Sequence, residues 1–160
     1  MGFIEEKERL AGLDAESSIG QAEADFETFW RALAEGRGRA ELEQALGTAR
    51  SIARGDYDAK TKSRARRVAV AGLEKFAQRA EGYLNRKDVS APTVAHLHIL
   101  AATFVADGTI VDDRILALGT RLRLAVIKSQ FTCLSDADQR AVLRELHRMQ
   151  SEARPGTRGR

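Results

Sequence analysis

The sequence predicts an all-α protein, a compact bundle of about six helices built around a central, buried helical hairpin. Three observations lead there. Ala, Leu, Glu and Arg dominate a chain with only two prolines, and these side chains lose little rotamer freedom in a helix. Large apolar residues recur at spacings of three and four, the period of a helix face, and no stretch shows the period-two alternation of a strand. Glycine-containing or aspartate-containing clusters punctuate these periodic stretches where helices end.

Taken in order, a first helical region spans about Phe3 to Glu35, with Ile19, Ala22, Phe26, Phe29, Trp30 and Leu33 on one stripe and Gly36 and Gly38 ending it. A second helix, about Ala40 to Arg54, turns Leu42, Leu46, Ala49 and Ile52 inward and stops at Gly55. The third covers about Thr61 to Arg86, with Val68, Leu73, Phe76, Ala80, Tyr83 and Leu84 as its buried set. Ser90 is placed as the N-cap of a fourth helix, about Ala91 to Ala106, with Pro92 in the first turn, where a missing N–H costs nothing.

The fourth helix and the fifth, about Asp112 to Leu134, are apolar on several faces, which assigns them to the buried centre. In the fifth, Ile115, Leu118, Leu122 and Val126 line one side, and Leu116, Leu124, Ile127 and Phe131 another. The sixth opens with Ser135-Asp136-Ala137-Asp138, a start resembling a capping box, and is expected to bury Val142, Leu143, Leu146 and Met149. Residues 1–150 thus form a single helical domain, and residues 151–160, lacking a large apolar anchor, a disordered, flexible basic tail. Gly20, Gly72, Gly82 and Gly119 fall inside helices, where each is expected to mark a close helix crossing.

Composition narrows the functional classes. At 160 residues, 43% apolar and 31% charged, the chain can bury a full core without metals or disulfides. Cys133 is its only cysteine, so no intramolecular disulfide forms, and its apolar register predicts an inert, buried thiol. The start of the sequence has neither a basic stretch nor a long apolar run, and no segment reaches 18 uncharged apolar residues, so a cytoplasmic protein without membrane association is expected.

Catalytic signatures are missing from the sequence. His96 and His98, two apart on a helix, point about 200° away from each other and do not form the i, i+4 pair that zinc-binding helices use. His147 falls on the surface of the last helix. No phosphate-binding glycine loop, nucleophile elbow or dinucleotide fingerprint occurs. The turn Asp107-Gly108-Thr109-Ile110 is similar to the middle of an EF-hand loop, but that register puts Thr103, Val105 and Arg114 at ligand positions, which excludes it.

The segment Leu100-Ala101-Ala102-Thr103-Phe104-Val105-Ala106-Asp107-Gly108, with Ile110 and the acidic start at Asp112 and Asp113, resembles the TerB-like family of helical bacterial domains associated with tellurite resistance. The likeness covers about 25 of the 160 residues. It implies a compact, stress-associated helical bundle that acts through binding rather than catalysis, and it leaves a divalent-metal role for Asp107, Asp112 and Asp113 as the alternative to helix capping. Read from the residues alone, Asp112 and Asp113 suit the N-terminus of a helix, where carboxylates gain about 0.3–1 kcal/mol from the dipole. Asp107, at the end of the preceding helix, fits only if the turn uses it.

Charge is unevenly spread. Residues 1–35 carry −6, residues 36–88 carry +6, and residues 89–160 carry +3. Lys60, Lys62, Arg64, Arg66 and Arg67 crowd the first turns of the third helix, where positive charge opposes the dipole and calls for an anion. The acidic first helix is one source and a nucleic acid phosphate another. Arg154, Arg158 and Arg160 in the tail extend the second option. Together these features predict a non-enzymatic interaction or adaptor module that binds another protein or itself and carries no cofactor. The alternative is a small nucleic-acid-binding accessory protein using the basic helix and the arginine-rich tail.

Overall fold

A computed structural model describes residues 2–110 and 112–153; the predicted tail arginines Arg154, Arg158 and Arg160 lie outside the described residues. Six helices account for nearly all of them: α1 (Gly2–Ala34), α2 (Arg39–Arg54), α3 (Ala59–Leu84), α4 (Ala91–Asp107), α5 (Asp113–Thr132) and α6 (Asp136–Ala153). The described residues contain no strand. The first region is one continuous helix, and α6 continues three residues beyond the expected boundary at 150.

Local chemistry sets the helix ends. Gly36 and Gly38 take positive φ, 79° and 129°, and turn the chain from α1 into α2. The Asp58 carboxylate caps α3 by accepting from the Thr61 amide at 2.7 Å. Ser90 caps α4 through the Thr93 amide at 3.3 Å. Gly108 closes α4 in the left-handed conformation at φ 74°, and Asp112 caps α5 by accepting from the Arg114 amide at 2.8 Å. At the start of α6 the Ser135 hydroxyl accepts from the Asp138 amide at 3.2 Å.

A small core cluster of Ile19, Ala22, Ile52 and Ala65 lies between α1, α2 and α3, and the main cluster draws on α1 to α5. Phe29, Phe76 and Phe104 stack near its middle, with ring centroids 6.4 Å apart for Phe29 and Phe104 and 5.3 Å for Phe76 and Phe104. Leu42, Leu46, Leu73, Leu100, Ile115, Leu118 and Leu122 surround them. Where α1 crosses α3, a Cβ on Gly72 would stand 2.6 Å from the Phe26 ring, so only glycine allows that approach. The other three helical glycines expected at crossings do not serve that purpose: Gly20, Gly82 and Gly119 have open space beyond the Cα.

Two expectations about burial are corrected. Only half of the expected α4–α5 hairpin is central: α3 packs on α1, α2, α4 and α5, α2 on α1, α3 and α4, and α4 on α2, α3 and α5, whereas α5 packs mainly on α3 and α4. Helix α5 is buried only through Ile115, Leu118 and Leu122, while Leu116, Leu124 and Ile127 face outward. In α6 no residue is buried, and Val142, Leu143, Leu146 and Met149 are all exposed. Apolar periodicity marks a face that favours burial; it does not say whether the chain itself supplies the cover. Cys133 is likewise exposed, because it sits at the C-cap of α5 where the chain leaves the bundle.

Candidate functional site

The most unusual surface of the molecule is carried by its last two helices. Helix α5 has two apolar stripes on opposite sides. Its inner stripe completes the core, and its outer stripe presents Leu116, Leu124 and Ile127, with Leu124 60% exposed. At 100° per residue, Leu116, Thr120, Leu124, Ile127 and Phe131 fall on one line, with Arg123 flanking one side and Arg121 and Lys128 the other. None of these three bases has an ion-pair partner among the described residues.

Helix α6 adds a second uncovered stripe. Val142, Leu146 and Met149 recur at i, i+4 and i+7, Leu143 widens the face, and Asp138, Glu145 and Glu152 run along one edge at seven-residue intervals. Arg148 pairs with Glu145 and, at 2.6 Å, with Glu152. Its guanidinium holds the Glu145 carboxyl below the usual carboxylate range. The corner between α5 and α6 is fixed by Gln139, whose side-chain amide donates to the carbonyls of Phe131 at 3.3 Å and Leu134 at 3.1 Å. The Phe131 carbonyl also accepts from the Leu134 amide at 3.0 Å, so the two contacts tighten the turn that follows α5. The clamp points α6 away from the bundle.

The basic cluster on α3 lies beside the acidic first helix. Arg64 makes a two-pronged ion pair with Glu16, one contact being 3.2 Å. The hydrogen bond and charge of Arg64, with help from Lys60, hold the Glu16 carboxyl below its ordinary range. Arg67 lines a groove with Glu23, Glu27 and Trp30, and Lys75 stacks over the Trp30 ring at 5.2 Å. Lys60 and Arg66 are exposed and Lys62 is half-buried. The anion these bases call for is therefore supplied in part by α1, and the surface around them alternates in sign.

The three aspartates are not brought together as a ligand set. Asp107, whose side chain is only 5% exposed, accepts an ion-paired hydrogen bond from Arg50 across the α2–α4 interface and another from the Thr109 amide at 3.2 Å. Asp112 is engaged as the α5 cap, and Asp113 stands exposed in the first turn. Among the described residues no group of three or more His, Cys, Asp or Glu lies close enough to hold a metal ion. The Arg50–Asp107 pair lies at the end of an open cleft of about 610 Å³ that also includes Arg39, Glu43 and His98. His96 faces a different groove, where its Nε2 is 3.1 Å from the Arg37 carbonyl oxygen. No described helix is long and apolar enough to cross a membrane.

The residues of the α5–α6 surface were all visible in the sequence but were assigned to the core. The outer line of α5 is bordered by Arg121, Arg123 and Lys128, but Arg114 borders the inner line as well, so the charge beside each stripe separates the two only in part. Comparison of the chain with protein-family models, with curated proteins and with solved structures finds no match.

Proposed function

We propose that this protein is a non-enzymatic helical interaction module that binds another polypeptide through the apolar faces of α5 and α6. The observation that carries the proposal is the exposure of seven large aliphatic side chains on two consecutive helices: Leu116, Leu124, Ile127, Val142, Leu143, Leu146 and Met149. Scattered apolar residues on a surface need no explanation, but contiguous apolar faces rimmed by charge mark interaction sites. Helix α6 adds to this, since an amphipathic helix in a protein takes most of its stability from packing of its apolar face, and no residue of α6 is buried. The resemblance of the α4–α5 corner to TerB-like domains points the same way, towards binding without catalysis. Asp107 and Asp112 act in that corner as a structural ion pair and a cap.

The test is affinity recovery with tagged wild-type chain and with a Leu143→Glu, Leu146→Glu double variant, whose mutated sites are exposed and outside the core. Polypeptides retained by the wild type and lost with the variant, copies of the chain included, are the expected result. Equal retention by both would remove the face as the binding site.

A further inference from the structure

We infer that the occupant of this surface is a second copy of the same chain, with the α6 of each protomer lying on the outer face of the other's α5. The inference rests on the reading of α5 and α6 as an interaction surface and names its partner. Two unpartnered apolar stripes in one molecule are complementary in charge. The stripe on α5 is bordered by Arg121, Arg123 and Lys128, and the stripe on α6 by Asp138, with Glu145 and Glu152 beyond it already paired to Arg148. Pairing α5 with α5 would instead bring unpaired basic borders together, which is unfavourable, whereas α6 offers them the carboxylate of Asp138.

Geometry explains why the two stripes do not meet within one chain. Only Cys133, Leu134 and Ser135 join the helices, and Gln139 locks the corner by donating to the Phe131 and Leu134 carbonyls. Held in that direction, α6 leaves its apolar face uncovered, whereas a two-fold partner covers both stripes twice over. Exchange of an identical element is a low-cost route to a dimer, and the resulting contact is isologous and closed. The area is sufficient. The seven aliphatic residues, between 37% and 60% exposed, present on the order of 600 Å² per chain, against about 800 Å² per partner in a standard interface. The polar rim, including Arg123 and Glu145, supplies the remainder.

The test uses the full chain in analytical ultracentrifugation across a concentration series. The wild type is expected at twice the chain mass of 17.6 kDa. Leu124→Glu on α5 and Leu146→Glu on α6 are each expected to sediment as monomers with unchanged near-ultraviolet circular dichroism, since both side chains lie outside the core. Mixing the two variants should restore a dimer, because one of its two α5–α6 contacts is then wild-type on both sides. A homotypic α6–α6 or α5–α5 interface would show no such rescue, and its absence overturns the exchange. A monomeric wild type that still retains a different polypeptide through Leu143 and Leu146 defeats self-association while leaving the interaction surface in place. A monomeric wild type whose α6 amides resist hydrogen exchange has closed α6 on its own α5, which defeats both readings.

Discussion

Arg50 donates from α2 to the nearly buried carboxylate of Asp107 at the last turn of α4, and the Thr109 amide donates to the same carboxylate from the turn that follows. The ion pair offsets the unfavourable position of an acid at a helix C-terminus. It also ties the α4–α5 turn to the centre of the bundle.

Replacing Asp107 by Ala should therefore lower the unfolding free energy by about 1–2 kcal/mol, a moderate cost because Arg50 is 41% exposed and can turn to water. Asp113→Ala, in the exposed first turn of α5, should change it by less than about 0.5 kcal/mol. Urea denaturation of the two variants checks the contrast. If the three aspartates served a divalent ion, chelation would move the wild-type melting temperature and would affect both variants; the geometry predicts no movement.

Packing at the α1–α3 crossing gives a second contrast. Gly72→Ala drives a methyl into the Phe26 ring and should destabilise by about 1–3 kcal/mol. Gly20→Ala meets nothing within 4 Å and should stabilise by about 0.5–1 kcal/mol through the helical preference of alanine. Thermal denaturation of the pair separates crossing glycines from tolerated ones.

The two kinds of glycine are indistinguishable in the sequence, because each sits mid-helix between ordinary neighbours. Much else was legible there. The helix count and order, the caps at Ser90 and Asp112, and the buried faces of α1 and α2 follow from periodicity and turn chemistry. That α5 is covered on one side only was not legible, since centrality depends on how many neighbours a helix meets rather than on its own apolar content. For the same reason Leu124 and Leu146 read as core. Their periodicity is that of a buried residue, and only the three-dimensional arrangement shows that no other part of the described chain covers them.

Acid should weaken the fold through two carboxylates. Glu16 is held below its ordinary 4.5 by Arg64, and Asp58 below its ordinary 3.8 by the hydroxyl and amide of Thr61. A carboxyl depressed in the folded state contributes stability above its unfolded pKa and loses it as pH falls through the folded value. Unfolding midpoints should thus drop as pH falls below about 4.5. Asp58→Asn keeps the cap and should flatten that dependence, whereas Asp58→Ala should lower the midpoint at neutral pH as well. A pH series of urea titrations on the three proteins reads both effects.

Cys133 should react in the folded protein. It is exposed at the α5 C-cap, so a chromogenic disulfide reagent is expected to titrate one thiol per chain without denaturant. A thiol that appears only after unfolding would place the α5–α6 corner inside a closed structure.

All buried side chains of the described core precede α6, the last of them being Leu122. During synthesis the bundle can thus complete its interior before α6 has left the ribosome. A helix made last, with its apolar side uncovered, joins the structure in a later and separate step. Its pairing answers to the local concentration of finished chains, so the amount of protein made, rather than the act of folding, sets how much of that surface stays open.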